Sequence, residues 1–376
     1  MLNQRQKILG HLKHLVSFNT QNPPRDIQTD SDIFEYLKQQ LVGFEFTLTD
    51  SGNGCISLLA VQGNPDILFN FHIDTVPVAK GWQRDPFSLS IEENKVFGLG
   101  ACDIKGASAC MLAAVASAVE NKKHSSDIAL LFSSDEEAGS SVAVKKFLKT
   151  EHGFSKVIIS EPTLTKAVSG HRGIQTAIAN FKGTPGHASE KRALQDNAIH
   201  KATRWLTKSL DWVENQQSIS HLNLNGLPFN TGTIKGGIKA NMIAADCEIK
   251  FGFRPLPGQN STRMLEQLSK LSADVEINPG FYGPTLPAQN QNFEDAINNA
   301  NDLIDECQLS KGSAVNFWTE ASLFSEAGLT AIVFGPGDIA QAHTADEWVE
   351  IEQLEEVYGH YCQILDVDSC KSGEKQ

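Results

Sequence analysis

The length, composition and charge of the chain exclude several classes of protein. Its 376 residues are 40% hydrophobic and 20% charged, which is typical of a folded globular protein with one large domain or two domains. The formal net charge of -13 argues against a nucleic-acid partner, and no apolar stretch has membrane-spanning length.

The first part of the chain predicts an α/β domain. Continuous apolar runs at 67–71, 128–132 and 157–159 predict buried strands, and segments 105–119 and 141–148 predict helices between them. Strands without polar alternation are covered on both faces of their sheet. The pattern therefore predicts a mixed sheet flanked by helices.

The middle of the chain has a different pattern. Residues 173–182 alternate between apolar and polar side chains, and 231–235 and 244–254 predict further half-exposed strands. Helical spacing occurs at 197–213 and 261–271. These elements predict a smaller α+β module with one solvated sheet face.

The last part of the chain returns to the first pattern, with a predicted strand at 331–334 and a predicted helix at 351–365. We therefore expect residues 172–282 to form a domain that is inserted into a catalytic domain. The catalytic domain would consist of residues 1–171 and 283–376.

Three consecutive carboxylates follow the second predicted strand. Asp135, Glu136 and Glu137 come directly after the apolar run 128–132. Adjacent carboxylates repel one another and lose hydration at a strand end, so we expect a positive group to hold them. One interpretation is a metal centre with one glutamate as ligand and its neighbour as general base. The alternative is a solvated acidic turn.

Other candidate ligands also stand where predicted strands end. His72 and Asp74 follow the first strand, and their spacing puts both side chains on one side of an extended chain, so that Asp74 can orient the His72 ring. Glu161 and His343 follow two later strands. Because ligands in open α/β sheets gather beyond the carboxyl ends of strands, we expect these side chains to converge.

Asp103 lies in a glycine-rich turn that invites comparison with a dinucleotide-binding loop. The turn begins with Gly98-x-Gly100, but Asp103 takes the place of the third glycine and would repel a pyrophosphate. Asp103 is therefore either a metal bridge or the N-cap of the next helix. Its neighbour Cys102 is expected to be a small buried side chain and not a ligand.

The candidate ligands are imidazoles and carboxylates without a thiolate, a set that favours Zn²⁺, with Co²⁺ or Mn²⁺ as substitutes. Five ligands are too many for one open catalytic zinc and suit two ions roughly 3.5 Å apart, bridged by a carboxylate and a water. Such a water needs a nearby base, the role left for Glu136. The five ligands are His72, Asp103, Glu137, Glu161 and His343.

Several short motifs along the chain occur in the order found in one family of enzymes. They are His72-x-Asp74-Thr75-Val76-Pro77, Gly100-x-x-Asp103-x-Lys105-Gly106, Asp135-Glu136-Glu137, Glu161-Pro162-Thr163, Gly186-His187-Ala188-Ser189, Asn241-Met242-Ile243, Phe253-Arg254-Pro255, Thr319-Glu320-Ala321 and Ala342-His343-Thr344. Over essentially its full length the chain resembles the two-zinc deacylases and exopeptidases. It is most similar to their acetylornithine and N-acetylcitrulline deacetylase branch.

The resemblance implies a division of the ligands between two Zn²⁺ ions per subunit. The implied arrangement is His72 and Glu161 on one metal, Glu137 and His343 on the other, and Asp103 as the bridge. Glu136 would be the general base and Asp74 the partner of His72.

The resemblance also implies a homodimer that pairs through the inserted domain. His187 would reach the partner's active site and stabilise the tetrahedral oxyanion. Asn241 and Arg254 would hold polar or carboxylate groups of the substrate, although these residue types also suit a turn and a surface salt bridge. The pair His171-Arg172 departs from the shorter polar pair of many relatives, and its role is left open.

The activity that the resemblance implies is hydrolysis of an N-acetyl amino acid, N-acetylornithine or N-acetylcitrulline, in arginine biosynthesis. A succinyl-diaminopimelate desuccinylase and a dipeptidase or carboxypeptidase are the alternatives within the family. A metal-dependent binding protein with a decayed site is the alternative of another class, and the presence of Glu136 with all five ligands argues against it. The partner would thus be a small N-acyl amino acid, with no nucleic acid and no membrane.

The seven cysteines bear on the location of the protein. They are odd in number and scattered, and none forms a C-x-x-C pair. This pattern predicts neither a disulfide framework nor a thiolate zinc site. Since residues 1–15 also lack the features of a secretory signal, we expect a cytoplasmic protein.

Overall fold

The computed structural model describes residues 3–24, 26–120 and 127–365, in which seventeen strands and ten α-helices are assigned. In chain order these are α1 (Gln4–Ser17), α2 (Asp32–Gln40), β1 (Glu45–Asp50), β2 (Ile56–Gln62), β3 (Ile67–His72), β4 (Ser90–Glu92), β5 (Lys95–Phe97), α3 (Lys105–Glu120), β6 (Ile128–Ser133), α4 (Val142–Phe147), β7 (Lys156–Ile159), β8 (Ile174–Lys182), β9 (Gly186–His187), α5 (Ala193–Asp196), α6 (Ala198–Glu214), β10 (Ser220–His221), β11 (Leu224–Asn225), β12 (Phe229–Gly236), β13 (Met242–Ile243), β14 (Asp246–Phe253), α7 (Ser261–Ser269), β15 (Val275–Gly283), α8 (Phe293–Glu306), α9 (Ala321–Glu326), β16 (Thr330–Val333), β17 (Trp348–Glu350) and α10 (Ile351–Ile364).

The chain divides into two compact units. The first consists of Met1–Ser169, Glu294–Gly312 and Thr319–Gln376, and the second of Gly170–Phe293 and Ser313–Trp318. The sequence-based division, with an insertion at 172–282, stays a prediction.

The first unit is built on a six-stranded mixed sheet with the order β1-β2-β6-β3-β7-β16. Strand β3 runs parallel to both β6 and β7, and β16 runs parallel to β7, whereas β2 is antiparallel to β1 and β6. All residues of β6 are buried, as are five of the six in β3, which explains their unbroken apolar sequences. The predicted α/β class with a mixed sheet flanked by helices is confirmed.

Helix α3 packs against α1, α10 and β3, and its small side chains allow these elements to approach closely. Thirteen of its sixteen residues are buried. Gly106 marks the tightest contact, because a Cβ there would lie 2.4 Å from the main-chain oxygen of Ala101. The first turn of α3 is thereby pressed against the loop that carries Asp103.

The second unit contains a four-stranded antiparallel sheet with the order β12-β14-β8-β15. Strand β8 alternates between buried and partly exposed residues, so that Ala177, Ala179 and Phe181 enter the core. The core is centred on Trp205 of α6, whose indole Nε1 donates to the main-chain oxygen of Leu268 at 2.9 Å. This is the α+β pattern that the alternating sequence predicts.

Within the described ranges, every helix is too short or too polar to cross a bilayer.

Candidate metal centre

The carboxyl ends of three neighbouring strands lie at one edge of the large sheet. Strand β3 ends at His72, which pairs with Ser133, the last residue of β6. Glu136 and Glu137 lie in the turn after β6, and Glu161 follows β7 by two residues. Parallel pairing of β3 with β6 and β7 thus brings residues that are distant in sequence to one place.

The first group of possible ligands is buried and consists of His72, Asp103 and Glu161. The Nε2 atom of His72 lies 2.9 Å from Asp103 Oδ1 and 3.7 Å from Glu161 Oε1. Their ligand atoms all lie within 4.8 Å of one another, which is close enough to share one metal ion.

The second group consists of Asp103, Glu137 and His343. His343 Nε2 lies 3.0 Å from Glu137 Oε1 and 3.4 Å from Asp103 Oδ2. The two oxygens of Asp103 therefore face different histidines, as a bridging carboxylate requires. The groups differ in exposure, since the side chain of His343 is 54% exposed and that of His72 is 1% exposed.

The electrostatics of the cluster test whether a cation fits. Burial lowers the pKa of His72, but Asp103 and Glu161 outweigh this effect and hold that pKa well above 6.5. Hydrogen bonds to Asp103 and Glu137 raise the pKa of His343 to about 10. Burial raises the pKa of Glu161 well above 4.5, and the neighbouring Asp103 raises it further. These two histidines and Glu161 thus favour their protonated forms, and the nitrogen and oxygen donors of the cluster fit divalent cations.

Asp74 is completely buried and contacts both the His72 ring and the acidic turn. His72 Nδ1 lies 3.0 Å from the main-chain oxygen of Asp74 and 3.6 Å from its carboxylate Oδ1, so the main chain is the closer partner of the ring. The carboxylate accepts hydrogen bonds from Asn22 Nδ2 at 3.1 Å and from the main-chain nitrogens of Glu136 and Glu137 at 3.3 and 3.1 Å. Asp74 therefore holds the acidic turn itself.

The three consecutive carboxylates have different contacts with the rest of the protein. Asp135 accepts from the main-chain nitrogens of Val142 and Ala143 at the start of α4, at 2.5 and 3.2 Å. Glu137 contacts His343. Within the described ranges, no hydrogen-bond donor contacts the Glu136 carboxylate, and burial raises its pKa well above 4.5. A carboxyl group with an elevated pKa is suited to proton transfer.

The turn around Asp103 presents the side chain of this residue to two histidines. Its carboxylate faces the histidines, and α3 begins only at Lys105. Cys102 is buried, as expected, and its thiol lies 3.4 Å from the main-chain oxygen of Asp338.

Two buried carboxyl groups were given no role from the sequence. Glu320 Oε2 accepts from Asn70 Nδ2 at 2.9 Å and from Ser133 Oγ at 3.3 Å, next to the strand ends. Glu347 accepts hydrogen bonds from the glycine-rich turn of Asp103. The signals available in the sequence were the motif around Glu320 and the position of Glu347 four residues after His343.

The remaining candidates lie in the second unit. His187 of β9 pairs with Met242 of β13, which brings it next to Asn241, and both candidates are exposed. The Nδ1 atom of His187 lies 2.7 Å from Ser189 Oγ. Arg254 follows β14 and is half-buried, and burial lowers the pKa of its guanidinium. In the described ranges no carboxylate pairs with Arg254.

Arg172, whose role the sequence left open, is 2% exposed within the second unit. Its guanidinium donates to the main-chain oxygens of Asn225 and Gly226 at 2.6 and 2.8 Å and to Asn316 Oδ1 at 2.7 Å. A longer contact of 3.3 Å reaches the main-chain oxygen of Arg254. Arg172 thus joins three separate segments of this unit.

Comparisons with known proteins identify relatives of this chain. The N-acetyl-L-citrulline deacetylase of Xanthomonas campestris pv. campestris is 46% identical over 350 residues, which cover 92% of this chain and 94% of that protein. An acetylornithine deacetylase of Yersinia pestis is 32% identical over 325 residues, 80% of each chain. The solved aminopeptidase PepT of Bacillus cereus ATCC 10987 has a TM-score of 0.75 at 17% identity, over 96% of this chain and 98% of that one.

The model of Peptidase family M20/M25/M40 matches residues 68–366, a range that contains all five candidate ligands. The family resemblance seen in the sequence motifs is therefore confirmed. With this match, and with relatives of 46% and 32% identity over most of its length, the chain belongs to Peptidase family M20/M25/M40, whose metallopeptidases depend on metal ions.

Proposed function

We propose that this protein hydrolyses the amide bond of an N-acetyl amino acid and releases acetate and the free amino acid. The observation that carries the proposal is the Asp103 carboxylate, whose oxygens face His72 of a buried ligand group and His343 of an exposed one, while the Glu136 carboxylate near His72 has no hydrogen-bond donor in the described ranges. The identity of 46% to an N-acetyl-L-citrulline deacetylase supports N-acetylcitrulline as substrate, with N-acetylornithine second at 32% identity. Arginine biosynthesis is the corresponding pathway.

In this proposal five side chains hold two divalent cations, with Zn²⁺ preferred and Co²⁺ or Mn²⁺ as substitutes. The cations would polarise the acyl carbonyl and make a water molecule more acidic. The ligands are His72 and Glu161 on one side, Glu137 and His343 on the other, and Asp103 between them.

Glu136 moves the proton in this reaction. Its carboxylate takes a proton from the attacking water, whose oxygen bonds to the acyl carbon. The carbon–nitrogen bond then breaks, and Glu136 returns the proton to the departing amine. Asp74 keeps Glu136 in place through the hydrogen bond to its main-chain nitrogen, and it fixes His72 by main-chain contact.

The second unit would supply the groups that recognise the substrate. Arg254 would bind the amino-acid carboxylate, because a guanidinium matches a carboxylate in shape and charge, and it has no such partner within the described ranges. Asn241 would bind a second polar group. His187 would act on the oxyanion in the partner subunit of a homodimer, and its exposed position is compatible with that role.

The variant Glu136→Gln tests the catalytic assignment. We expect kcat to fall by about 10³-fold or more, since the loss of general acid–base catalysis costs roughly 10²–10⁴-fold. Metal content should stay that of the wild type, and the exposed Glu151→Gln should behave as the wild type. Wild-type kcat in Glu136→Gln would refute the assignment.

A substrate panel separates the alternatives. Steady-state rates are measured for N-acetylcitrulline, N-acetylornithine, N-succinyl-diaminopimelate and dipeptides, with metal content determined on the same sample. The proposal expects kcat/KM to be highest for one of the two acetyl amino acids. A preference for the succinyl compound or for dipeptides would favour a desuccinylase or a peptidase, and no hydrolysis by the metal-loaded protein would favour a binding protein.

The homodimer and the cytoplasmic location are part of the same proposal. Sedimentation of the active protein tests the first, since a fully active monomer would contradict the role of His187. Scattered cysteines, of which Cys110, Cys247 and Cys307 are buried thiols, support a reducing compartment.

A further inference from the structure

We propose that Glu347 is a positioning residue that fixes Asp103 and His343 relative to each other, and thereby sets the cation affinity of the exposed ligand group. This inference rests on the proposed metal-dependent function. It concerns a residue that contributes no ligand atom to either group.

The first observation is the way in which Glu347 binds the turn of Asp103. Glu347 is 2% exposed, and its Oε1 accepts from the main-chain nitrogens of Cys102 at 2.8 Å and Asp103 at 3.0 Å. Its Oε2 accepts from the main-chain nitrogen of Gly100 at 2.9 Å. Three N–H groups of this turn therefore converge on one buried carboxyl group, which holds the turn in place.

The shape of the turn explains why its N–H groups can meet a single carboxylate. Gly100 has a φ of +79°, a left-handed conformation that favours glycine, and a Cβ there would lie 2.8 Å from Thr75 Cγ2. Successive N–H groups in a turn of this kind point to one side and form an anion-binding concavity. Here the acceptor is the Glu347 carboxyl group of the same unit.

The second observation is the position of Glu347 in the chain. It follows His343 by four residues and directly precedes β17, which pairs with β5. Its main-chain oxygen also accepts from Gly98 at 3.1 Å. Glu347 therefore connects the segment that carries His343 to the segment that carries Asp103.

The two ligand groups depend on Glu347 to different degrees. His72 and Glu161 of the buried group are fixed by the parallel strands β3 and β7, which do not include Glu347. In the exposed group, both Asp103 and His343 lie on segments that Glu347 holds. The loss of its carboxylate should therefore weaken cation binding in the exposed group more than in the buried group.

The test is a cation titration that does not require turnover. The metal-free wild type and the variant Glu347→Gln are titrated with Zn²⁺ by calorimetry and with Co²⁺ by visible absorption, and two dissociation constants are fitted. The glutamine keeps one carbonyl oxygen, but its NH₂ group faces an N–H donor of the turn. We expect the weaker dissociation constant to rise by about 10–100-fold, as for other groups that orient metal ligands, with the tighter one within about threefold of the wild type.

A control separates positioning from a general loss of stability. Val349 is 1% exposed, lies in β17 and pairs with Val96, so Val349→Ala loosens the same strand without removing the three hydrogen bonds. Val349→Ala should lower the melting temperature and leave both dissociation constants near wild type. If Glu347→Gln does not fold, as judged by circular dichroism, Glu347→Asp keeps a carboxyl group at a greater distance and should raise the weaker constant by an intermediate factor.

Each result has a defined meaning. Wild-type constants in Glu347→Gln and Glu347→Asp, or an equal rise of both constants, would overturn the positioning role and leave the proposed hydrolase activity standing. If the wild type binds fewer than two cations, the two-cation centre is wrong and this inference is overturned with it. The substrate panel tests hydrolysis separately.

Discussion

Removal of the buried Arg172 side chain should strongly destabilise the second unit. In Arg172→Ala, the oxygens of Asn225, Gly226 and Asn316 lose their donors at 2.6, 2.8 and 2.7 Å. A hydrogen bond to a charged group contributes about 1.5–3 kcal/mol, and water that enters the cavity replaces part of this loss. We therefore expect the free energy of unfolding to fall by about 3–5 kcal/mol.

Two further variants refine this prediction. Arg172→Lys keeps the charge, but a single ammonium group cannot reach three acceptors that a planar guanidinium spans, so we expect a loss of about 2–3 kcal/mol. Arg263→Ala removes an exposed arginine of α7 and should change stability by less than about 0.5 kcal/mol.

The assay is urea unfolding followed by tryptophan fluorescence. Trp205, Trp212 and Trp318 lie in the second unit, whereas Trp82 and Trp348 lie in the first, so the signal reports mainly on the unit that is perturbed. A loss of less than about 1 kcal/mol in Arg172→Ala would refute the reasoning, because buried acceptors would then tolerate the absence of the guanidinium.

Three more predictions follow from the first unit. In the metal-free protein the pKa of His343 is raised from 6.5 to about 10, so the ion pairs of this histidine stabilise the folded state fully below pH 6.5. Denaturation measured over a pH series should show that this stabilisation is lost as pH rises toward 10. The variant His343→Gln should lack this pH-dependent stabilisation. With this raised pKa, His343 is protonated at pH 7.5 and must lose its proton to bind a metal ion. Calorimetry in buffers of different ionisation enthalpy should therefore detect proton release on Zn²⁺ binding. No release would contradict the raised pKa. Gly106→Ala places a Cβ 2.4 Å from Ala101 O and should lower the melting temperature, while Gly153→Ala, with nothing within 4 Å, should not.

Much of the central sheet could be predicted because its signal is local. Strands β3, β6 and β7 were expected at 67–71, 128–132 and 157–159 and extend by one residue at one end. Buried parallel strands have unbroken apolar sequences, and such runs are readily recognised. The convergence of strand-end ligands then followed from the general geometry of parallel sheets.

The parts that escaped prediction depend on contacts between distant segments. Strands β1 and β2 form an antiparallel pair at the sheet edge next to β6, and the local sequence of β6 does not predict that it pairs with β2. The hydrogen bonds of Glu347 span 244 to 247 residues, and those of Arg172 to Asn316 span 144. Such carboxylate and guanidinium contacts with the main chain leave no periodic signal in either segment.

The carboxylate of Asp74 shows a different limit of sequence reasoning. Its two-residue spacing from His72 correctly predicted proximity to the imidazole ring, at 3.6 Å. Its closest contacts, however, are with donors on two other segments, Asn22 and the turn at Glu137. Sequence spacing predicts where a side chain lies, but its hydrogen-bond partners depend on which buried donors nearby need an acceptor.

The different surroundings of the Asp135, Glu136 and Glu137 carboxylates mean that three adjacent positions of nearly identical chemistry should respond to the same kind of substitution in different ways. The variant Asp135→Asn weakens the acceptor at the start of α4 and should lower the melting temperature. The variant Glu137→Gln should retain fewer cations during dialysis, and Glu136→Gln should lower the turnover rate alone. A mutational scan that records abundance, metal content and activity together would therefore separate folding, binding and catalysis within one tripeptide.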